Sequence, residues 1–544
     1  MTDSRGTRLL AAGLFLLALA LYVPAFWVPF YLDDATSIHR NPHLLEGEFW
    51  AYLQEYYRRW VTYLTFWGDF QLWGDSPHGY HAVNGLLHAA NTVLVFLISR
   101  LLMGHLDDPS GRRALWFAVG VAALWAVHPL HTQAVVYIVQ RATLMATVWG
   151  LLSVYCWIRF RQELKDFGER DRRWLLLAGL SLILAIFSKE FALTVLLVWL
   201  VVEVTALGGR IRKLVIPALT LAGLVALLWL LDRWAFQGMG WAALDAGSRE
   251  TADISRWQYL LTQQEVVIHY LRLFFLPQPL LMEHGFKLHE GVGDTWPFLV
   301  PHVGLIVLAA VLVRRAPLVS LGIGWFYVAL LVESGLVPIK DLAFEHRMYF
   351  PSVGLMLALV GGVFHLHRAL GGQRLGQILG VLALAGVLTL SVLTVQRVQL
   401  WSDPQVFFQH EIEHAPWPAR GHHSLGVWHA ERGQLQRAQA QFDRALEGYE
   451  ARGQLSVGFM EDYMRLLWAQ GRYESLDGFF AGALERFESD EDKGRMFAHY
   501  ANLQYQRGGC PPARPALMEA LRLAPSDERI QALYKQCIES LEGW

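Results

Sequence analysis

The chain has 544 residues, of which 54% are hydrophobic types and 17% are charged, and its mean hydropathy is +0.28. A soluble chain of this length carries about 25% charge, so one water-surrounded globule and a disordered chain are both excluded, and a formal net charge of −2 excludes a basic nucleic-acid binder. The charge is also uneven: about 14% of residues 1–400 and about 25% of residues 401–544, with net charges of about +4 and −6. This split predicts an all-α polytopic membrane bundle over residues 1–398 and a soluble, mildly acidic domain over 401–544.

A membrane helix needs about 20 mostly apolar residues. In chain order the candidates are Leu9–Phe30, His81–Met103, Ala114–Val127, Ala134–Ile158, Trp174–Phe187, Phe191–Ala206, Leu214–Leu231, Trp296–Val313, Pro317–Val332, Met348–His365 and Gln377–Val395. The first follows Arg5 and Arg8 without a small-residue cleavage pattern, so it reads as a retained helix. Trp257–Leu276 is apolar but holds Gln263, Gln264, Glu265, His269 and Arg272, and reads as an interfacial or re-entrant helix. Basic clusters at Arg5/Arg8, Arg112/Arg113, Arg159–Arg173, Arg210–Lys213, Arg314/Arg315 and Arg368–Arg374 then fall on alternate loops. The positive-inside rule therefore gives about 11 crossings, a cytoplasmic N-terminus and an outer C-terminal domain. Outside lie a long first loop, Tyr31–Tyr80, and short loops around His128–His131, Ser188–Glu190 and Glu333–Arg347.

Beyond Trp401 a repeat pattern appears. Leu425-Gly426, Gly433, Ala438, Phe442 and Ala445-Leu446 form one copy, and Gly471, Tyr473, Phe480 and Ala483-Leu484 a second. Gly508, Ala513, Leu517, Ala520-Leu521 and Pro525 form a third, with Ile530–Leu541 as a capping helix. The offsets fit tetratricopeptide repeats, which dock peptides or partners on a concave face. Cys156, Cys510 and Cys537 make no metal or redox motif. The last two can pair outside the cytoplasm or remain free thiols.

The few charges in the membrane part carry the chemistry. Asp33 and Asp34 directly follow an apolar helix, which suits general-base work or a divalent cation; the plain alternative is a helix cap. His81, Asn84 and His88 share one helical face, as a cavity lining or as interhelical hydrogen bonds. His128 and His131 flank Pro129, which breaks helical ligand spacing, so no metal is assigned. Lys189, Arg141 and Arg347 each bring a cation to one membrane side, as a phosphate site would require. The alternative is local pairing, Lys189 with Glu190, and a similar choice for Glu345-His346-Arg347.

Read together, Asp33-Asp34 with Ile38 and Asn41, Gly79-Tyr80-His81-Ala82-Val83-Asn84 with Leu87-His88, His128-Pro129-Leu130-His131 with Gln140-Arg141, Ser188-Lys189-Glu190 and Glu345-His346-Arg347-Met348-Tyr349 resemble the transmembrane and tetratricopeptide-repeat protein O-mannosyltransferases. These are C-type glycosyltransferases, alongside the protein O-mannosyltransferases and the lipid A aminoarabinose transferases. The resemblance runs from the first helix to the repeats. It implies transfer of a sugar from a polyprenyl-phosphate donor to a protein hydroxyl on the non-cytoplasmic side. Asp33 and Asp34 match the family's acidic pair, Lys189, Arg347 and Arg141 its basic positions for the lipid phosphate, and the repeats would dock the protein acceptor. Arg59-Trp60-Val61-Thr62 departs from the Arg-Pro often seen in relatives, which bears on acceptor identity. No cofactor is required, and no Gly-rich nucleotide loop is present. Compact loops and the absence of a C-terminal retention signal point to a bacterial inner membrane with a periplasmic C-terminal domain. The competing readings are an oligosaccharide transferase or polymerase using a lipid-diphosphate donor, and a non-enzymatic scaffold or transporter. No internal duplication supports a transporter.

Overall fold

The structure, a computed structural model, describes residues 4–106, 111–166, 172–208, 223, 254–452, 455–487, 489–525 and 527–542. The fold is all-α, with no strand among the described residues. The chain divides into two compact units, Met1–Asp403 and Pro404–Trp544.

The first unit begins with α1 (Ser4–Leu21), followed by three short helices and one longer one: α2 (Pro42–Leu45), α3 (Phe49–Glu55), α4 (Trp60–Trp73) and α5 (Pro77–Leu106). Then come α6 (Arg112–Ala126), α7 (Thr132–Val136), α8 (Arg141–Asp166), α9 (Arg172–Ile186) and α10 (Val195–Thr205). After residues outside the description follow α11 (Arg256–Phe275), α12 (Val292–Leu312), α13 (Pro317–Leu330), α14 (Pro351–Leu370) and α15 (Gln373–Trp401). Among the described residues six helices are long and apolar enough to cross a membrane: Arg5–Trp27, Pro77–Leu106, Ile138–Glu163, Val292–Leu312, Pro351–Leu370 and Gln373–Trp401. A seventh is reached if the bent pair Arg112–Ala126 and Pro129–Val136 counts as one span. This is fewer than the 11 crossings expected from hydropathy. Polar breaks at His128, Ser188-Lys189-Glu190 and Glu333 divide apolar runs into helices such as α9, α10 and α13, which are only 15, 11 and 14 residues long. The crossing expected at Leu214–Leu231 lies outside the described residues, and Trp257–Leu276 coincides with α11.

α5 is the central helix, packed against α1, α6 and α8. α13 and α14 pack closely through small residues: a Cβ on Gly322 would strike the Gly354 carbonyl and Ala358, and one on Gly361 would strike Leu318. Small residues at helix crossings let backbones approach where no hydrophobic effect drives association.

The long loop that follows the first helix is a folded layer with its own core. Ile38, Leu44, Tyr52, Tyr63, Phe66 and Tyr80 bury one another against Ile138. The Val61 N–H donates to the Phe187 carbonyl (3.2 Å) and the Thr62 hydroxyl to the Ser188 carbonyl (3.1 Å). These two bonds seat the start of α4 on the turn carrying Lys189 and Glu190.

The second unit contains α16 (Pro404–His414), α17 (Ala419–Glu431), α18 (Leu435–Arg452), α19 (Val457–Ala469), α20 (Tyr473–Leu484), α21 (Asp490–Gly508), α22 (Cys510–Leu523) and α23 (Glu528–Glu542). The helices pack with their chain neighbours, as in a solenoid-like array: α17 on α18, α19 on α20 and α21, α22 on α21 and α23. Gly433 and Gly471 take positive φ at the helix turns (72° and 69°). Gly426 leaves room for the Phe442 ring and Gly448 for Ala419. Cys510 and Cys537 form a disulfide joining α22 to α23, with Cα atoms 5.0 Å apart. Of the two fates open for these thiols in the sequence, pairing is the one realised.

Candidate functional site

The two adjacent aspartates have different surroundings. Leu32, just before them, holds φ +40°, a left-handed conformation that costs a β-carbon-bearing residue about 1–3 kcal/mol. The turn drives Asp34 inward and leaves Asp33 exposed. Asp34 is buried; its carboxylate accepts the Tyr31 N–H (3.0 Å) and the Val139 N–H (2.8 Å). Burial pushes its pKa up to about 8, against the pull of those amides. Asp34 thus ties the loop start to the entry of α8. The Asp33 backbone N–H donates to the Tyr137 hydroxyl at 3.0 Å, and the residue as a whole is exposed, with its carboxylate facing that hydroxyl.

The polar stripe on α5 is buried and joins helices. His81 bonds the Val28 carbonyl (2.9 Å); His88 bonds the Tyr349 hydroxyl (2.7 Å) and the Ala126 carbonyl (3.0 Å). The Asn84 amide donates to the carbonyls of Val135 and Ile138 (3.2 and 3.3 Å). The interhelical hydrogen bonds of the second reading are present, and a polar stripe that makes them can also line a cavity. His128 uses both ring nitrogens, accepting the Leu130 N–H at Nδ1 (3.2 Å) and bonding the Phe274 carbonyl at Nε2 (2.9 Å). His131 reaches the Ser352 hydroxyl (2.9 Å). Among the described residues no group of three or more metal-ligating side chains comes together.

Arg141 requires a correction. It is fully buried and pairs with Asp69 at 2.5 Å. It also donates to Asn84 Oδ1 (2.8 Å), Thr65 Oγ1 (3.2 Å) and the Tyr80 carbonyl (3.0 Å), with its guanidinium 4.5 Å from the Phe66 ring. Every side of it is committed to joining the first loop, α5 and α8, so it is a structural tie and not a cation open to a phosphate. Asp69 carried no sequence signal, because it lies 72 residues away on an otherwise apolar helix.

Lys189 and Arg347 do come together, in a cluster built from four segments. The Lys189 ammonium pairs with Glu333 (3.0 Å) and donates to Thr143 Oγ1 (3.0 Å) and Gln140 Oε1 (3.5 Å). Its expected partner Glu190 instead takes both contacts from Arg59 (Nη2–Oε2 2.9 Å, Nε–Oε1 3.1 Å). Local pairing of Lys189 with Glu190 is therefore overturned. The backbone at Lys189 is extended (φ −161°, ψ 139°), which sends neighbouring side chains to opposite sides. Burial draws the Lys189 pKa down, and Glu333 opposes that shift.

Arg347 is buried, and its donors end on neutral acceptors: the Leu342 carbonyl (3.1 Å), the Asp341 carbonyl (2.6 Å) and the Tyr259 hydroxyl (3.4 Å). Burial works against its charge, but Tyr259, Tyr270 and Glu333 outweigh it and raise the pKa. Among the described residues no carboxylate lies within ion-pair distance of Arg347. His346 bonds Gln133 Oε1 through its backbone N–H (2.8 Å) and its Nδ1 (3.1 Å). Burial, with Lys189, Arg347 and Arg59 nearby, holds it far below its ordinary pKa, hence neutral. Arg59, Lys189 and Arg347 thus lie with Glu190 and Glu333 around a neutral imidazole, and the charge of Asp341 also reaches Arg347. The cluster reaches solvent at the half-exposed Arg59–Glu190 pair. Tyr63 feels the charges of both Arg59 and Asp33.

Glu345 lies apart from this chemistry. It accepts the Leu281 N–H and faces His284 (3.6 Å), which holds the segment after α11. Sequence reasoning missed Glu333, Asp69 and Tyr137. Glu333 had a signal: a carboxylate ending an apolar helix is costly in a membrane and usually has a partner.

The membrane protein O-mannosyl-transferases provide the similar sequences. Protein O-mannosyl-transferase Tmtc2 of Drosophila melanogaster is 29% identical over 303 residues, 52% of this chain and 31% of its own length. Human TMTC2 is 32% identical over 219 residues, 37% of this chain and 25% of its own. Mouse TMTC4 is 23% identical over 474 residues, 74% of this chain and 62% of its own. The chain spans about a quarter to a third of the length of the first two. No family model matches, and no solved structure does. The chain is thus similar in sequence to proteins named TMTC protein O-mannosyl-transferases.

Proposed function

We propose that this multi-pass membrane protein is a glycosyltransferase that moves a sugar from a polyprenyl-phosphate donor to a serine or threonine hydroxyl of a protein. The observation that carries the reading is the cation cluster of Arg59, Lys189 and Arg347. Among the described residues its buried Arg347 has no carboxylate within ion-pair distance, although the charges of Glu333 and Asp341 reach it, and a buried charge demands a close opposite charge. A phosphate supplies one. The similarity to named protein O-mannosyl-transferases supports the reaction class.

Asp33 is the base in this mechanism, because its carboxylate is exposed while that of Asp34 is held by two amides. It takes the proton from the acceptor hydroxyl. The oxygen attacks the anomeric carbon, the bond from that carbon to the phosphate oxygen breaks, and the lipid phosphate leaves with the electron pair. Lys189 and Arg347 stabilise the charge on the leaving phosphate. The helical array of the second unit is read as tetratricopeptide repeats that dock the protein acceptor. Its disulfide favours a non-cytoplasmic location, since structural disulfides persist in oxidising compartments. The test is transfer of labelled sugar from a synthetic polyprenyl-phosphate-mannose to exported protein in membranes holding the wild type or Asp33→Asn. Transfer by the wild type alone supports the reading; equal transfer by both removes Asp33 as the base.

A further inference from the structure

Glu333 stands at the centre of the cluster, and it is the residue with the least local reason to be there. It follows α13, where the chain leaves the α-helix and bulges over Val332–Leu336; Ser334 sits at φ −124°, ψ 25°, outside helical geometry. Such bulges cost intrahelical bonding and recur at functional sites. The Glu333 carboxylate contacts Lys189 at 3.0 Å, and its charge is felt by Lys189, Arg59 and Arg347 alike. Its backbone carbonyl accepts the Tyr259 hydroxyl and an Arg347 Nη1 (3.5 Å), so the backbone has anchors independent of the side chain. Next to it, the buried Ser334 hydroxyl has no hydrogen-bond partner among the described residues. One carboxylate thus pairs with Lys189 and acts by its charge on Arg59 and Arg347, beside an unused donor and on a backbone bulge.

We propose that Glu333 is a positioning residue whose carboxylate holds the phosphate subsite in place of the donor. The donor's phosphate takes over Lys189 from Glu333 on binding. This rests on the reading of the cluster as a phosphate site and adds an internal competitor to it. The ligand chemistry is a phosphate ester or a free phosphate. A carboxylate is a fair substitute for either, because it offers two acceptor oxygens but less charge. The exchange keeps Lys189 paired when the site is empty, which avoids an uncompensated buried charge.

The test measures binding of polyprenyl monophosphate, inorganic phosphate and the uncharged polyprenol to purified full-length protein in detergent at pH 7. Wild type is compared with Glu333→Gln, Glu333→Asp and Lys189→Ala. Removing the competitor should tighten polyprenyl monophosphate binding by about tenfold, equal to ~1.4 kcal/mol; Lys189→Ala should weaken it, and polyprenol should not respond. If inorganic phosphate tightens in parallel, the subsite reads the phosphate alone; if only the lipid responds, it reads the phosphoester. Both results support the exchange. Glu333→Asp keeps the charge and should bind like wild type. In the wild type, the lipid should slow amide exchange at residues 188–190 and speed it at 332–336, a readout that survives if Glu333→Gln fails to fold. Weaker or unchanged binding in Glu333→Gln, with Lys189→Ala still weakened, would overturn the exchange and leave the phosphate reading standing. No effect from either variant would overturn both.

Discussion

Asp33 and Asp34 are chemically identical neighbours, and the backbone separates their roles. Leu32 turns the chain so that one carboxylate meets two amides and the other meets water. Asp33→Asn should lower sugar transfer by about 10²- to 10⁴-fold, the usual worth of a general base, without changing membrane insertion. Asp34→Asn should act on stability. Its folded pKa of about 8 lies above the ordinary 3.8, so the fold prefers the protonated form. That contribution is fully present near pH 4 and is lost as the pH rises through about 8. Wild-type unfolding temperature in detergent should fall over that window, and the Asp34→Asn variant should not share the fall. The sequence singled out both residues, but nothing in two adjacent letters states which one faces solvent.

Between elements, the largest lesson is in Arg141. Its rarity in an apolar run was legible, and so was the inference that such a charge needs a partner. The partner was not, because Asp69 reaches it only through folding of the first loop against α5 and α8. Arg141→Met alone should cost about 3–5 kcal/mol by leaving Asp69 buried and unpaired. The double variant Arg141→Met with Asp69→Leu should recover much of that, as read by thermal unfolding in detergent. A similar argument applies to the end of the second unit. Closing a loop of 27 residues with the Cys510–Cys537 disulfide stabilises by about 3.5 kcal/mol in the chain-entropy picture. Cys537→Ser should therefore lower the unfolding temperature of that unit, and a reductant should lower the wild type to match while leaving the variant unmoved.

For the whole molecule, the division of charge at about residue 400 announced two units, and the contact pattern divides the chain at Asp403 and Pro404. The basic loops predict an orientation that is open to direct measurement. An impermeant thiol reagent applied to the outer face should label Glu46→Cys, in the first outer loop, and should spare Arg314→Cys until the membrane is opened. Both positions are exposed, and the native Cys156 is buried. Labelling of both at once would reject the assigned sidedness.

By itself the sequence determined the all-α class, the membrane character of the first unit, the hairpin spacing of the second, and which scarce charges matter. These are properties of composition and short-range periodicity, carried by neighbours along the chain. Only the tertiary structure decided how the charges pair: Lys189 with Glu333, Arg59 with Glu190, and Arg141 with Asp69. Partners 72 to 144 residues apart meet because helices and a folded loop pack them together, and a low-dielectric interior leaves few charges unpaired. Burial then separated Asp33 from Asp34 and, among the described residues, left Arg347 bonded to neutral acceptors with no carboxylate at ion-pair distance.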